Sequence, residues 1–474
     1  MKISRTKFKS GGITVRAAAL FLALLFMLPC FCFGAAADEQ SLAETARAAA
    51  VYCTTADRVL WSKNIDATVY PASTVKIMTA ILAIEHFEGR YDENITVTAE
   101  SIKGAAGNRI SLRIGEIVTV NDLLCAVIIG GANDAALVLA CEVAGSVGAF
   151  VDMMNEKAAA LGMKNTFYTN PTGLHDAKMF TTVSDIIKLA SYAQNMNRFM
   201  DTASIARYVM SATNLSKLRY IANKNYLVST YVEYKYYYPL ANGMNSGSTN
   251  EAGQCIVATA SKNGLNYIAV VMGADKYTKV VQAAGEITNP DGTISRVDEK
   301  TETVVCSYPE AKRLLEYAMK SFSYRKVLDA SEMICEIPVS LGSSVDHVTL
   351  LPEKTVELYL SNDIDLDAEL ERSWELYVDS LTAPVKSGDV AGLLTLRYGG
   401  EVVASVELVA KNNVERSGFL YIMDNIKNEM KKPALRLLTA AFIIGIILYV
   451  IGMAVWRSRK KAEARREFYK NRRP

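Results

Sequence analysis

Residues 71–80, PASTVKIMTA, place Ser73 one helical turn before Lys76 at the start of an apolar helix. On a helix, positions i and i+3 lie on the same face, so the lysine amine reaches the serine hydroxyl. A serine is a weak nucleophile until an adjacent base takes its proton. The positive end of the helix also stabilises a developing oxyanion. The stretch therefore predicts a serine nucleophile with a lysine base.

The Ser-x-x-Lys spacing is not specific by itself. The chain repeats it at Ser4 and Lys7, Ser323 and Lys326, and Ser458 and Lys461. The prediction for Ser73 therefore depends on what the rest of the chain supplies.

Apolar patterns along the chain predict a mixed α/β domain at 45–322, because short strands alternate with helices. Apolar runs on either side of Lys262-Asn263-Gly264 predict a β-hairpin. Residues 326–411 alternate apolar and polar positions between prolines and glycines, which predicts a small all-β domain. The other expected elements are strands at 48–53 and 59–62, a helix at 73–85, and a helical region from 120 that breaks at 130–133.

The N-terminal end of the chain predicts export. Residues 1–37 combine five basic residues, an apolar run and a string of small residues, which indicates a secretory signal peptide. Lipidation at Cys30 or Cys32 is disfavoured, because proline and phenylalanine precede these cysteines where a small residue is expected.

The other end predicts a membrane anchor. Residues 437–456 are 20 uncharged residues, enough to cross a hydrocarbon core of about 30 Å. The tail at 457–474 holds nine basic and two acidic residues, so the positive-inside rule places it in the cytoplasm and the main body outside. Residues 412–436 form a juxtamembrane linker in this interpretation.

Composition argues against nucleic-acid binding and against metal-dependent chemistry. The net charge of +2 combines basic ends with a mildly acidic body, which offers no surface for a phosphate backbone. The six cysteines after the signal lack the spacing of a metal site and are expected to be small buried hydrophobes, with pairing as the alternative. Only three histidines are present, and His86 is expected to pack within an apolar helix.

Three motifs occur in a fixed order: Ser73-Thr74-Val75-Lys76, Gly131-Ala132-Asn133, and Asn245-Ser246-Gly247-Ser248-Thr249. Together with the segments at 161–166, 170–174, 258–260 and 384–389, they resemble the D-alanyl-D-alanine carboxypeptidases, the low-molecular-mass penicillin-binding proteins. The resemblance covers about residues 45–410. It implies a penicillin-recognising serine-hydrolase fold of the β-lactamase and transpeptidase type, with an antiparallel sheet flanked by helices.

The resemblance also implies a reaction. Ser73 would attack the penultimate D-Ala carbonyl of a peptidoglycan stem peptide, and terminal D-Ala would leave. Water would then release the acyl-enzyme. Lys76 would accept the Ser73 proton, and Asn133 would bind substrate and hold the lysine. No metal or organic cofactor is implied, and β-lactams are the expected covalent ligands at the surface of a bacterial cell membrane.

The third motif supplies the implied substrate-binding residues Asn245, Ser246, Gly247 and Thr249, but it departs from the family pattern. The family has Lys-Thr-Gly where this chain has Asn245-Ser246-Gly247. A lysine there would attract the substrate carboxylate and depress the pKa of Lys76. Its loss predicts a more basic Lys76 and a penalty of roughly ten- to a hundredfold in rate. Arg109 and Lys224 are candidate replacement cations.

The second motif also departs, because Gly131 stands where the family has a serine. This removes a hydroxyl that would relay protons. Two functions therefore stay open: an active carboxypeptidase, and a turnover-impaired relative that binds peptidoglycan or β-lactams. A β-lactamase ranks last, because no glutamate-based deacylation motif is found.

Overall fold

The computed structural model describes residues 42–282, 285–288, 294–297 and 300–470. The predicted signal peptide and its two cysteines lie outside these residues, as does the end of the basic tail. The chain divides into two compact units, Met1–Lys320 and Ser321–Pro474.

The helices from Lys76 to Ser321 are α1 (Lys76–His86), α2 (Val120–Ile128), α3 (Asn133–Ala144), α4 (Val147–Ala160), α5 (Val183–Gln194), α6 (Asn197–Ala203) and α7 (Ser307–Ser321). The strands of the same region are β1 (Ala48–Cys53), β2 (Arg58–Lys63), β3 (Asn94–Thr96), β4 (Ile117–Thr119), β5 (Arg207–Met210), β6 (Arg219–Ala222), β7 (Ala241–Thr249), β8 (Gly253–Lys262), β9 (Leu265–Ala274), β10 (Lys276–Gln282), β11 (Gly285–Thr288), β12 (Ile294–Val297) and β13 (Lys300–Val305).

Five antiparallel strands form the central sheet of the first unit, in the order β2-β1-β9-β8-β7. The predicted hairpin is confirmed as β8 and β9. Its two turn residues, Asn263 and Gly264, have φ values of +53° and +77°, and such left-handed backbone favours asparagine and glycine. Strand β7, which carries the third motif, is the edge strand at one end of this sheet.

Helix α1 is buried from Lys76 to Ile84, because the helices α2, α3 and α5 pack around it. A helix that is apolar on all sides belongs in a domain interior. The expectation for His86 is wrong. The last turn of α1 emerges from the core, and the His86 side chain is exposed with its ring edge against Phe87.

A long β-arm follows the central sheet and was not foreseen from the sequence. Strand β10 pairs with β13, and β11 pairs with β12, so the chain leaves the sheet after β9 and returns to α7. The backbone N–H of Cys306 donates to the carbonyl of Asp275 at 3.0 Å, which closes the base of the arm.

The second unit is the predicted small β domain followed by helices. A six-stranded sheet has the order β18-β20-β21-β16-β15-β19, and β14 pairs with β17. Its elements are β14 (Phe322–Leu328), β15 (Cys335–Ser340), β16 (His347–Pro352), β17 (Val356–Ser361), α8 (Leu366–Glu369), β18 (Leu370–Leu376), β19 (Leu381–Thr382), β20 (Val390–Tyr398), β21 (Glu401–Ala410), α9 (Gly418–Met430) and α10 (Pro433–Lys470).

Helix α10 includes the predicted membrane helix at 437–456. Within it, the segment Arg436–Arg466 contains an 18-residue window with a mean hydropathy of 2.5, which is typical of a membrane-spanning helix. The helix continues without a break into the basic tail. The preceding α9 lies in the predicted juxtamembrane linker and places Phe419, Ile422 and Ile426 on one exposed apolar face.

In the structure the cysteines at 53, 125, 141, 255, 306 and 335 form no disulfide with one another, and four of them are buried. Burial raises the pKa of the Cys255 thiol to about 11, which keeps it protonated at neutral pH. These side chains act as apolar packing groups, as expected from their neighbours in the sequence.

One buried carboxylate positions the loop beside the start of α3. Asp134, only 2% exposed, accepts hydrogen bonds from the backbone N–H groups of Ile110 at 3.1 Å and Leu112 at 3.0 Å. In the same loop the carbonyl of Asn108 accepts from the N–H of Asn133 at 2.7 Å. The carboxylate thus fixes the loop that borders the second motif.

We expect Asp134→Ala to destabilise the first unit by about 2–4 kcal/mol, because two N–H groups lose their buried partner. Urea unfolding of the detergent-solubilised protein measures this. The exposed Asp152→Ala on α4 is the control, and we expect a change within about 0.5 kcal/mol. Equal stability of the two variants would show that the carboxylate does not hold the loop.

Candidate active site

Ser73 lies in a 3₁₀ turn, Ala72–Val75, that runs directly into α1. The predicted helix therefore begins three residues later than expected, at Lys76. The Lys76 Nζ atom lies 3.1 Å from the Ser73 Oγ atom, within hydrogen-bond distance. Lys76 is 0% exposed, while Ser73 is partly exposed. The structure thus brings the predicted nucleophile and base together.

A backbone carbonyl holds the lysine from the other side. Lys76 Nζ donates to the carbonyl of Thr172 at 2.5 Å. That carbonyl is fixed by Asn170, whose Oδ1 accepts from the N–H groups of Thr172 at 3.1 Å and Gly173 at 2.8 Å. The segment at 170–174 contributes to the family resemblance, but no pattern in it predicts that a backbone carbonyl holds the base.

Burial sets the protonation of Lys76. Its pKa falls from 10.5 to about 7, and desolvation of the charged form is the cause. The expectation of a more basic Lys76 concerns the effect of losing a lysine at position 245, and it stays a prediction. Asn245 removes one cation from the motif, but the buried position of the amine lowers the pKa without it. A large fraction of Lys76 is neutral near pH 7 and able to accept a proton.

Two glycines enclose the Ser73 backbone. A Cβ atom on Gly247 of β7 would lie 2.4 Å from the Cβ of Ser73, and one on Gly173 would lie 2.0 Å from the carbonyl oxygen of Ala72. Neither position tolerates a side chain without a shift of the nucleophile. Ala72 itself has a φ of +48°, a strained conformation for a residue with a Cβ.

Asn133 lies at the first position of α3 and is 4% exposed. Its Nδ2 donates to the carbonyl of Ala106 at 2.6 Å, and its buried Oδ1 has no partner among the described residues. The prediction that Asn133 holds Lys76 is not met, since the lysine bonds to Ser73 and Thr172 instead. Asn133 is not among the residues that line the cleft with Ser73.

The structure separates the residues of the third motif. Ser246 and Gly247 line the cleft that contains Ser73. Asn245 is buried below it, 3% exposed, with Nδ2 donating to the Ile128 carbonyl at 3.3 Å. Thr249 accepts from the Ala252 N–H at 3.0 Å in the turn between β7 and β8 and borders a small neighbouring cavity. Successive side chains of a strand point to opposite faces of the sheet, so Asn245 and Ser246 face different surroundings.

The cleft has a volume of about 310 Å³ and contains residues that the motifs did not indicate. Gly131 has a φ of +64° and lies beside the Asn108 side chain, 3.5 Å from the place of a Cβ. Of the two candidate replacement cations, Lys224 lines the cleft and Arg109 does not. The other lining residues include Asn108, Tyr226, Gln254, Lys276, Ser307 and Tyr308.

A comparison with protein families matches residues 35–276 to the D-alanyl-D-alanine carboxypeptidase family, Peptidase S11. The chain belongs to this family. It is accordingly a serine hydrolase, and residues 322–416 match the C-terminal domain of penicillin-binding protein 5. D-alanyl-D-alanine carboxypeptidase DacF of Bacillus subtilis is 26% identical over 405 residues, which cover 83% of this chain and 92% of the relative.

Solved structures of penicillin-binding proteins share the fold. Penicillin binding protein 5 from Haemophilus influenzae superimposes with a TM-score of 0.53 at 24% identity, over 78% of this chain and 98% of that one. The D-alanyl-D-alanine carboxypeptidase DacD from Francisella tularensis gives 0.54 at 23% identity, over 78% and 94%. The predicted penicillin-recognising fold, followed by an all-β domain, is confirmed.

The pKa of Lys76 predicts the pH dependence of Ser73 reactivity. Below about pH 7 the amine is protonated and cannot act as base, so acylation by a fluorescent penicillin should fall about tenfold per pH unit. Above pH 7 the rate should level off. Lys76→Met, which keeps the volume and removes the amine, should lower the rate by about 10²–10⁴-fold. A wild-type midpoint near pH 10 would contradict the buried-base account.

Gly247→Ala should strongly slow acylation of Ser73, because its Cβ needs the space that the Ser73 Cβ occupies. A displacement of the nucleophile by about 1 Å costs roughly 10²-fold in rate. The rate of labelling by the fluorescent penicillin measures the loss. Gly264→Ala, at an open turn of the β8–β9 hairpin, adds a Cβ with no atom within 4 Å and should leave the labelling rate unchanged.

Proposed function

We propose that this protein removes the terminal D-Ala from peptidoglycan stem peptides through a Ser73 acyl-enzyme. The observation that carries the proposal is the buried Lys76 amine, 3.1 Å from the Ser73 hydroxyl, at the base of an open cleft. Family membership supports the same substrate class.

In the first step, neutral Lys76 takes the Ser73 proton while Oγ attacks the carbonyl carbon of the penultimate D-Ala. The negative charge that forms on the carbonyl oxygen develops at the N-terminal end of the 3₁₀ turn and α1, where the helix dipole is favourable. Protonated Lys76 then gives its proton to the leaving amine. Terminal D-Ala departs, and an ester to Ser73 remains.

In the second step, a water molecule attacks the ester carbon, and Lys76 serves again as base. The proton then returns to Ser73 Oγ, which releases the shortened peptide. A base with a pKa of about 7 suits both directions of proton transfer at neutral pH, because neither protonation state is strongly favoured.

The buried amide of Asn133 is the proposed partner for the substrate backbone. Its Oδ1 has no donor among the described residues, and an unpartnered buried acceptor costs about 1–3 kcal/mol. A substrate N–H would relieve that cost on binding. Gly131 adds no hydroxyl to this wall of the cleft, so proton transfer falls to Lys76 alone.

The proposed location follows from the C-terminal helix. With residues 437–456 in a bacterial cell membrane and the basic tail in the cytoplasm, the positive-inside rule predicts that the cleft lies on the outer side, where peptidoglycan is found. β-Lactams, which acylate serine hydrolases of this family, are the proposed covalent inhibitors.

A second function has support in the motif departures. Gly131 and Asn245 stand where the family has a hydroxyl that would relay protons and a cation that would assist Lys76. In this alternative, Ser73 is acylated but is released slowly, and the protein acts as a peptidoglycan- or β-lactam-binding protein.

The decisive experiment measures D-Ala release from a stem peptide ending in D-Ala-D-Ala, alongside fluorescent penicillin labelling. We expect release and labelling by the wild type and loss of both in Ser73→Ala. Ser323→Ala is a matched control, since Ser323 and Lys326 have the same spacing on strand β14, and it should behave as wild type.

Labelling of the wild type without D-Ala release would favour the binding function instead. Release that survives in Ser73→Ala would contradict both functions.

A further inference from the structure

The cleft beside Ser73 carries a positive charge that the catalytic residues do not use. Its described lining includes Lys224 and Lys276 and no aspartate or glutamate. Both side chains are exposed, and neither Nζ forms a hydrogen bond or an ion pair with any described residue. Two unpaired cations in one cleft of an otherwise acidic body favour an anionic ligand there.

Two other lysines near the arm, which do not line the cleft, do have acidic partners. Lys235 lies 2.8 Å from Glu302 and 3.4 Å from Glu233, and Lys279 lies 3.3 Å from Glu302. Acidic partners are thus present on the arm and in the adjacent loop. They neutralise the lysines away from the cleft and leave the two that line it uncompensated.

The backbone of Lys224 is held next to the third motif. Its carbonyl accepts from Ser246 Oγ at 2.8 Å and from the Tyr308 hydroxyl at 2.8 Å, and its N–H donates to Ile129 at 2.9 Å. Ser246 precedes Gly247, which touches Ser73. These hydrogen bonds therefore fix the Lys224 backbone close to Ser73.

Lys276 reaches the same cleft from the β-arm. It is the first residue of β10 and pairs across the arm with Val305, which also lines the cleft. The family match ends at this residue, so the arm that positions Lys276 follows the matched segment. The cation at 276 therefore lies at the end of the family match and at the base of the arm.

Asn245 does not replace the missing charge. Its side chain is neutral and buried, and Oδ1 points away from solvent without a partner among the described residues. The carboxylate of a terminal D-Ala would lie one residue beyond the carbonyl that Ser73 attacks. A cation for it must come from another part of the cleft wall.

We propose that Lys224 and Lys276 bind the terminal carboxylate of the substrate, in place of the cation that position 245 lacks. This assignment rests on the proposed substrate class. A lysine at position 245 would both lower the pKa of Lys76 and bind the carboxylate. Here burial does the first, and Lys224 and Lys276 do the second. The ligand class is a peptide with a free C-terminal carboxylate.

The test uses the full-length protein in detergent with Ser73→Ala, so that binding is measured without turnover. The ligands are a stem peptide ending in D-Ala-D-Ala and the same peptide with a C-terminal amide. We expect the acid to bind about ten- to a hundredfold more tightly, as a charge-assisted contact provides. Lys224→Met with Lys276→Met should reduce that preference to about twofold or less.

Two controls separate the site from general electrostatics. Lys262→Met removes the same charge at the exposed end of β8 and should keep the acid preference. Lys224→Arg with Lys276→Arg keeps both charges and should retain most of it. Thermal unfolding of each variant verifies the fold.

An acid preference that survives the double methionine variant would overturn the assignment, and so would equal binding of acid and amide or no binding of either by the Ser73→Ala protein. The proposed function fails separately, if the wild type neither labels with penicillin nor releases D-Ala. If the wild type shows no turnover but Ser73→Ala prefers the acid over the amide only when both lysines are present, the carboxylate site is supported without the proposed function.

Discussion

The site depends on the burial of one amine between a hydroxyl and a carbonyl. Placing an ammonium group in a protein interior is costly, and the chain avoids this cost by shifting Lys76 toward its neutral form. The Thr172 carbonyl provides the hydrogen bond that a buried amine needs. Burial makes the amine a base near neutral pH, and the contact with Thr172 fixes its position beside Ser73.

The burial of Lys76 explains how the third motif can lack its lysine. A lysine in the third motif would serve both the substrate and the base, but here the base is tuned by desolvation alone. Asn245 can then be a buried neutral residue, and cationic recognition can move to the outer wall of the cleft. An enzyme of this family can lose the lysine of the third motif, because other residues can separately tune the base and bind the substrate carboxylate.

Local patterns in the sequence predicted local structure well. The Asn263-Gly264 turn specified the β8–β9 hairpin, the uncharged run at 437–456 lay within one long helix, and Ser73 lay one turn from Lys76 as expected. What failed were properties set by contacts between distant segments. The depth of Lys76, the carbonyl of Thr172 and the close approach of Gly247 are distances in the folded chain. No spacing within a motif encodes them.

The β-arm leaves the central sheet after β9 and rejoins the core at α7, and its two ends are joined at Asp275 and Cys306. Because its two ends lie close together, the arm connects β9 to α7 over the same short distance that a tight loop would cover. Insertions or deletions in such a loop can reshape the rim of the cleft while the nucleophile keeps its support. Substrate range and chemical competence can therefore evolve independently in this architecture.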